Sequence, residues 1–138
     1  MPDRFELVEV EYLPDDLVEG RLYFSREYSI AAHKCACGCG SAVYTPIKAG
    51  EWQLSIEPRG ATLFPSIGNW NLPCRSHYWL RGGRIQWSVE WSQAQIEAGR
   101  AAEERRRLQL HGQKYGLKKW LSGTFARLLQ KIGDILKK

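Results

Sequence analysis

Apolar and polar positions alternate between Phe5 and Leu13, which predicts a first strand that Pro14, Asp15 and Asp16 stop. After Gly20, the stretch from Arg21 to Ile30 reads as a second strand leading into a cysteine-rich knuckle, and Ser41 to Thr45 reads as the return strand. Further short apolar runs lie at Glu51 to Ile56, Ala61 to Phe64 and Ser76 to Leu80. Gly82-Gly83 resembles a hairpin turn, with Ile85 to Val89 as its return. Short strands parted by Gly and Pro turns predict a compact, mostly antiparallel β-domain over residues 1–91.

The pattern changes at Ser92. From there to about Gln113 the chain is rich in Ala, Glu, Gln and Arg, which favour helix. Gly116 then separates this helix from a second. In that second helix Leu117, Trp120, Leu121, Phe125, Leu128, Leu129, Ile132, Ile135 and Leu136 recur at three- and four-residue spacing. The expected fold class is therefore α+β, a small β-domain around a zinc knuckle followed by a basic helical extension over residues 92–138. The apolar stripe of the extension is expected to pack on the β-domain. A homodimer contact through the helices comes second, and a membrane surface last.

Composition and charge narrow the picture. Hydrophobic residues make up 43% of the 138, with six tryptophans, so the chain can build a packed core. No run approaches the roughly 18–20 apolar residues of a membrane span, and the first residues form no secretory signal, so a cytoplasmic location is expected. The net charge of +5 is unevenly spread: residues 1–92 carry 9 Lys/Arg against 11 Asp/Glu, residues 93–138 carry 11 against 4. The basic balance belongs to the extension alone. No nucleic-acid partner is expected, because the cysteine-bearing part is slightly acidic and has no reading helix.

In a reducing compartment, four cysteines between positions 35 and 74 point to metal rather than disulfides. Cys35, Cys37 and Cys39 stand at alternate positions, and Cys74-x-x-His77 adds a second pair. A tetrahedral zinc with Zn–S near 2.3 Å needs sulfurs roughly 3.8 Å apart. An extended strand cannot supply that, but a knuckle turned by Gly38 and Gly40 can. Four of Cys35, Cys37, Cys39, Cys74 and His77 are the expected ligands of one zinc. His33 is a sixth candidate, and the surplus allows some of these residues to carry chemistry beside the metal. Thiolate-rich zinc is more often structural than catalytic.

Three separated motifs occur in order: His33-x-Cys35-x-Cys37-Gly38-Cys39-Gly40, Thr62-Leu63-Phe64-Pro65-Ser66-Ile67-Gly68, and Cys74-x-Ser76-His77-Tyr78-Trp79. Together they resemble the BubE-like family, small bacterial domains found in operons with a ubiquitin-like protein and its activating and conjugating enzymes. The resemblance covers roughly residues 5–90 and implies a peptidase acting on the ubiquitin-like modifier, with those proteins as partners. It supplies no catalytic residue. From the residues alone two mechanisms stay open. In one, zinc activates a water with Glu51 as general base. In the other, zinc is structural and Ser66, at the bend after Pro65, pairs with His33 or His77. A non-enzymatic zinc module that binds the modifier or its enzymes is the alternative to both. Trp70, in a polar stretch, is expected to be the most exposed tryptophan.

Overall fold

The computed structural model describes residues 1–89 and 91–113, in eight strands and one helix. β1 (Glu6–Glu9), β2 (Arg21–Ser25), β3 (Ile30–Lys34) and β4 (Ala42–Pro46) form one sheet in that order. β5 (Gln53–Glu57), β6 (Gly60–Gly68), β7 (His77–Arg81) and β8 (Arg84–Trp87) form a second. Every pairing is antiparallel except β1 with β2. The helix, α1, spans residues 93–113, as its composition predicts. The α+β class expected from the sequence is the class observed. A first compact unit runs Met1–Arg100 and so includes the start of α1; the second runs from Ala101 onward. The apolar stripe from Leu117 to Leu136, with the second helix expected there, lies outside the described residues.

The core of the first unit is filled from both sheets. Leu22, Phe24, Ala31 and Val43 meet Phe5, Ala61, Leu63, Ile67, Tyr78 and Leu80. The larger aliphatic side chains Leu22, Leu63, Ile67 and Leu80 are at most 2% exposed, and full burial of such a side chain stabilises by about 2 kcal/mol. Tyr23 and Ala32 point the other way, where Leu13 and Leu17 from the β1–β2 connection cover them. β2 is thus buried on both faces, which is why its apolar residues run on without alternating.

One expected strand divides. Arg21 to Ile30 is a hairpin, with Ser25 paired to Ile30 across a turn at 26–29. That turn has no glycine or proline. Ser29 adopts the left-handed conformation instead (φ 50°), so the usual punctuation is missing from the sequence. The knuckle therefore joins β3 to β4.

α1 begins with a reciprocal cap. The Gln95 amide donates to Ser92 Oγ (3.3 Å) and the Ser92 amide donates to Gln95 Oε1 (2.8 Å). Arg100 reaches Asn71 (2.7 Å) and Ile96 is 2% exposed, so the first turns of α1 are tied to the β6–β7 connection. No helix among the described residues is long and apolar enough to cross a membrane.

Candidate functional site

Two loops from different sheets bring the cysteines together. In the knuckle, the Cys35 amide donates to Ser41 O (2.8 Å) and the Gly38 amide to Cys35 O (3.1 Å), while Gly38 and Gly40 take φ of 80° and 77°. The β6–β7 connection curls through bonds from Leu72 to Asn69 O and from Arg75 to Leu72 O, both 3.0 Å, and presents Cys74. The sulfurs of Cys35, Cys37, Cys39 and Cys74 all lie within 4.8 Å of one another. Cys35 Sγ is 3.3 Å from Cys37 Sγ and 3.9 Å from Cys74 Sγ, close to the roughly 3.8 Å spacing of a tetrahedral thiolate site. Burial pushes the Cys37 thiol up to about 12, whereas the Ser41 hydroxyl holds Cys39 down to about 6. Such crowded sulfurs fit a cation that would let all four ionise.

A buried polar chain stands behind Cys35. Cys35 Sγ meets Ser76 Oγ (3.0 Å), and the Asn69 side-chain amide donates to Ser76 Oγ (2.9 Å) and to Cys35 Sγ (3.4 Å). Tyr78 Oη lies 2.8 Å from His33 Nε2. These partners hold the innermost sulfur in place, the role that residues behind a metal ligand usually have. Asn69, Ser76 and Tyr78 lie beside or within the recognised motifs, but nothing in their spacing shows that they meet.

His77 is not among the clustered ligands. It opens β7, opposite Gly68 of β6, and its Nε2 lies 2.9 Å from Ser66 Oγ. The contact depends on an irregularity in β6. Leu63 pairs with Leu80 and Ile67 with Tyr78, so Phe64, Pro65 and Ser66 face the single residue Trp79. The Phe64–Pro65 bond within this bulge is cis. Bulges re-aim side chains, and this one delivers the Ser66 hydroxyl to the imidazole. Burial holds His77 below its ordinary value, so the ring is neutral near pH 7 and can accept a proton.

Two tryptophans box the imidazole. Trp70 lies 4.9 Å from it and Trp91 4.7 Å, centroid to centroid, and the two indoles stack at 5.8 Å. His77 Nδ1 is buried with no hydrogen-bond partner among the described residues. Among the described residues no carboxylate contacts this histidine, and the ring packs between the two indoles, whose π-faces can weakly accept an N–H. Gly68 makes room for one wall: a Cβ there would sit 2.4 Å from Trp70 Nε1. A cleft of about 830 Å³ opens from His77 past Trp70, Trp87, Val89 and Trp91 towards Cys37 and Cys74.

A family model described as the bacterial ubiquitination-like system serine protease, BubE, matches residues 9–88. The chain belongs to the BubE family. It is therefore a protease of a bacterial ubiquitination-like system. No curated protein and no solved structure matches the chain. Trp91 lies beyond the residues that the BubE model matches, so part of the wall around His77 comes from outside the matched segment.

The remaining candidates take other places. His33 sits in β3, fully buried beside Phe5 (4.8 Å) and Tyr78, and burial lowers it to about 4. Its hydrogen bond goes to Tyr78 rather than to Ser66. Glu51 forms an ion pair with Lys48 (2.9 Å) in the β4–β5 connection and is not part of the cysteine group. Among the described tryptophans the exposed one is Trp87, at 49%, whereas Trp70 is half-buried because it packs on His77 and Trp91. Among the described residues, Ser66 is the serine whose hydroxyl contacts a histidine ring.

Proposed function

We propose that this BubE protein is a serine peptidase acting on the ubiquitin-like modifier of its system. In this reading Ser66 is the nucleophile, His77 its general base, and the four cysteines hold a structural zinc. The observation that carries it is the 2.9 Å contact between Ser66 Oγ and His77 Nε2, made by a neutral, buried imidazole. This is the nucleophile-and-base geometry that acyl transfer requires.

Ser66 Oγ attacks the carbonyl carbon of the scissile bond as its proton passes to His77 Nε2. The imidazolium then gives that proton to the leaving nitrogen as the C–N bond breaks. Water, deprotonated by the same imidazole, releases the acyl group and restores Ser66. The negative charge on the carbonyl oxygen needs N–H donors. The Asn69 amide bonds to Ser76 O on the β7 side, so by strand alternation the Gly68 amide points away from β7. β5 begins at Gln53, opposite Phe64, and does not reach Gly68. That amide is the candidate donor.

Four cysteine sulfurs supply all four positions of a tetrahedral zinc, which when bound acts as a cross-link between the knuckle and the β6–β7 connection rather than as an activator of water. The donor set favours the serine mechanism over a metal-bound nucleophile. It also gives His77 a fixed position, since Cys74 lies three residues before it, on the connection that leads into β7.

The test incubates the full chain with its ubiquitin-like partner in precursor and conjugated forms. Ser66→Ala should lower cleavage by about a thousandfold or more while native mass spectrometry still shows one zinc on a folded chain. Full activity in that variant, with chelation stopping cleavage before unfolding, would instead support a metal-activated water. A parent protein that binds its partner and never cleaves it would leave a binding module.

A further inference from the structure

The cleft beside His77 has a defined place in the reaction. His77 lines it and Ser66 does not, so it opens on the side of the imidazole away from the nucleophile. In acyl transfer the imidazolium hands its proton to the leaving nitrogen, and whatever is attached to that nitrogen lies on the histidine side. We propose that this cleft is the subsite for the leaving segment of the substrate, and that its occupant is an extended peptide continuing past the scissile bond. The inference rests on the Ser66–His77 reading and adds a substrate form to it: a modifier precursor with a peptide-linked extension.

Two observations favour a peptide over a lysine side chain of a conjugated protein. The first is size. At about 830 Å³ the cleft lies high in the roughly 300–1,000 Å³ range of sites that enclose a small ligand, and a single lysine stem would leave most of it empty. Its Trp70, Trp87, Val89 and Trp91 walls suit several apolar or aromatic contacts along a chain. The second is the edge of β8. Residues 3–5 run along that edge and bond to it at Gly83 O (2.7 Å) and Ile85 N (2.9 Å). The Ser88 amide is turned inward to His77 O (2.9 Å), so by alternation Trp87 presents its amide outward, with no backbone partner among the described residues. A peptide backbone can pair with that group, as strands added to sheet edges do. A lysine stem has nothing to offer it.

Val89 is the residue to change, because it lines the cleft and is 77% exposed, so a charged side chain there does not disturb the core. Three substrates share one acyl part, the ubiquitin-like partner: one ends in an aminocoumarin amide, one continues into its peptide extension, one is linked to a lysine side chain. Val89→Arg in the full chain should lower the kcat/KM ratio of the extended substrate to the coumarin amide about tenfold, expressed mainly in KM. Trp87→Ala should move the ratio in the same direction. An unchanged ratio overturns the proposal. A fall confined to the lysine-linked substrate also overturns it and gives the cleft to an isopeptide. A parent protein that cleaves none of the three removes the Ser66–His77 reading and this subsite with it, whereas cleavage of the coumarin amide with an unchanged ratio removes the subsite alone.

Discussion

Gly68→Ala isolates the aromatic box around His77, because the substitution adds one methyl group and no backbone strain: Gly68 does not occupy the left-handed region. An alanine Cβ would stand 2.4 Å from Trp70 Nε1, 2.7 Å from Cε2 and 3.1 Å from Cζ2. Ordinary contact between such atoms needs about 3.5 Å or more, so the indole must retreat by about 1 Å. It has little room. One side faces His77 and another is stacked on Trp91. Trp91 is itself held against Gly99, where a Cβ would meet it at 3.1 Å. Overpacking of this kind costs about 1–3 kcal/mol, offset by about 0.4–1 kcal/mol from the lower chain entropy of alanine in the unfolded state. The net effect expected in denaturant unfolding is a loss of about 1–2 kcal/mol. Cleavage should fall further, by about a hundredfold, because a displaced indole no longer holds the imidazole on Ser66. Trp70→Ala in the Gly68→Ala background should remove the overlap. The two substitutions should then be less than additive in stability while activity stays low. Gly68→Ala with parental stability and parental rate would refute the role given to Trp70.

Two further outcomes follow from the same geometry. On the proposed structural-zinc reading, Cys74→Ala removes the ligand that would join the β6–β7 connection to the knuckle, so metal binding should be lost and the chain become insoluble or partly unfolded, since structural zinc contributes on the order of 10 kcal/mol in small zinc peptides; metal analysis and thermal unfolding check this, and a folded, metal-free parent would refute it. His33 is buried and lowered from 6.5 to about 4, so the unfolded chain binds the extra proton first: its contribution, about 3 kcal/mol, is full above pH 6.5 and is lost as pH falls towards 4. Unfolding of His33→Gln should therefore show a flatter acid limb than the parent, and equal slopes would refute the assignment.

Local chemistry left a clear trace of the fold. Alternating strands, Gly82-Gly83 at the β7–β8 turn, and the change of composition at Ser92 all act through neighbouring residues, and the structure has β-strands and α1 where they point. The cysteine knuckle was legible for the same reason: Cys35, Cys37, Cys39 and two glycines within six residues can meet only by turning sharply. The β2–β3 turn was not, because Ser29 takes a left-handed conformation that its identity does not announce. Which histidine meets Ser66 was likewise beyond the sequence. His33 and His77 are both near cysteines along the chain, yet their sheets aim them apart, one into the core against Tyr78 and one onto the face that carries Ser66. The choice was made by strand register, by the Phe64–Ser66 bulge, and by the packing of Trp70 and Trp91 from separate connections. Sequence spacing determines what can turn, cap or alternate within a few residues. Contacts between residues dozens of positions apart depend on how the two sheets pair and pack, and that was decided only in the folded chain.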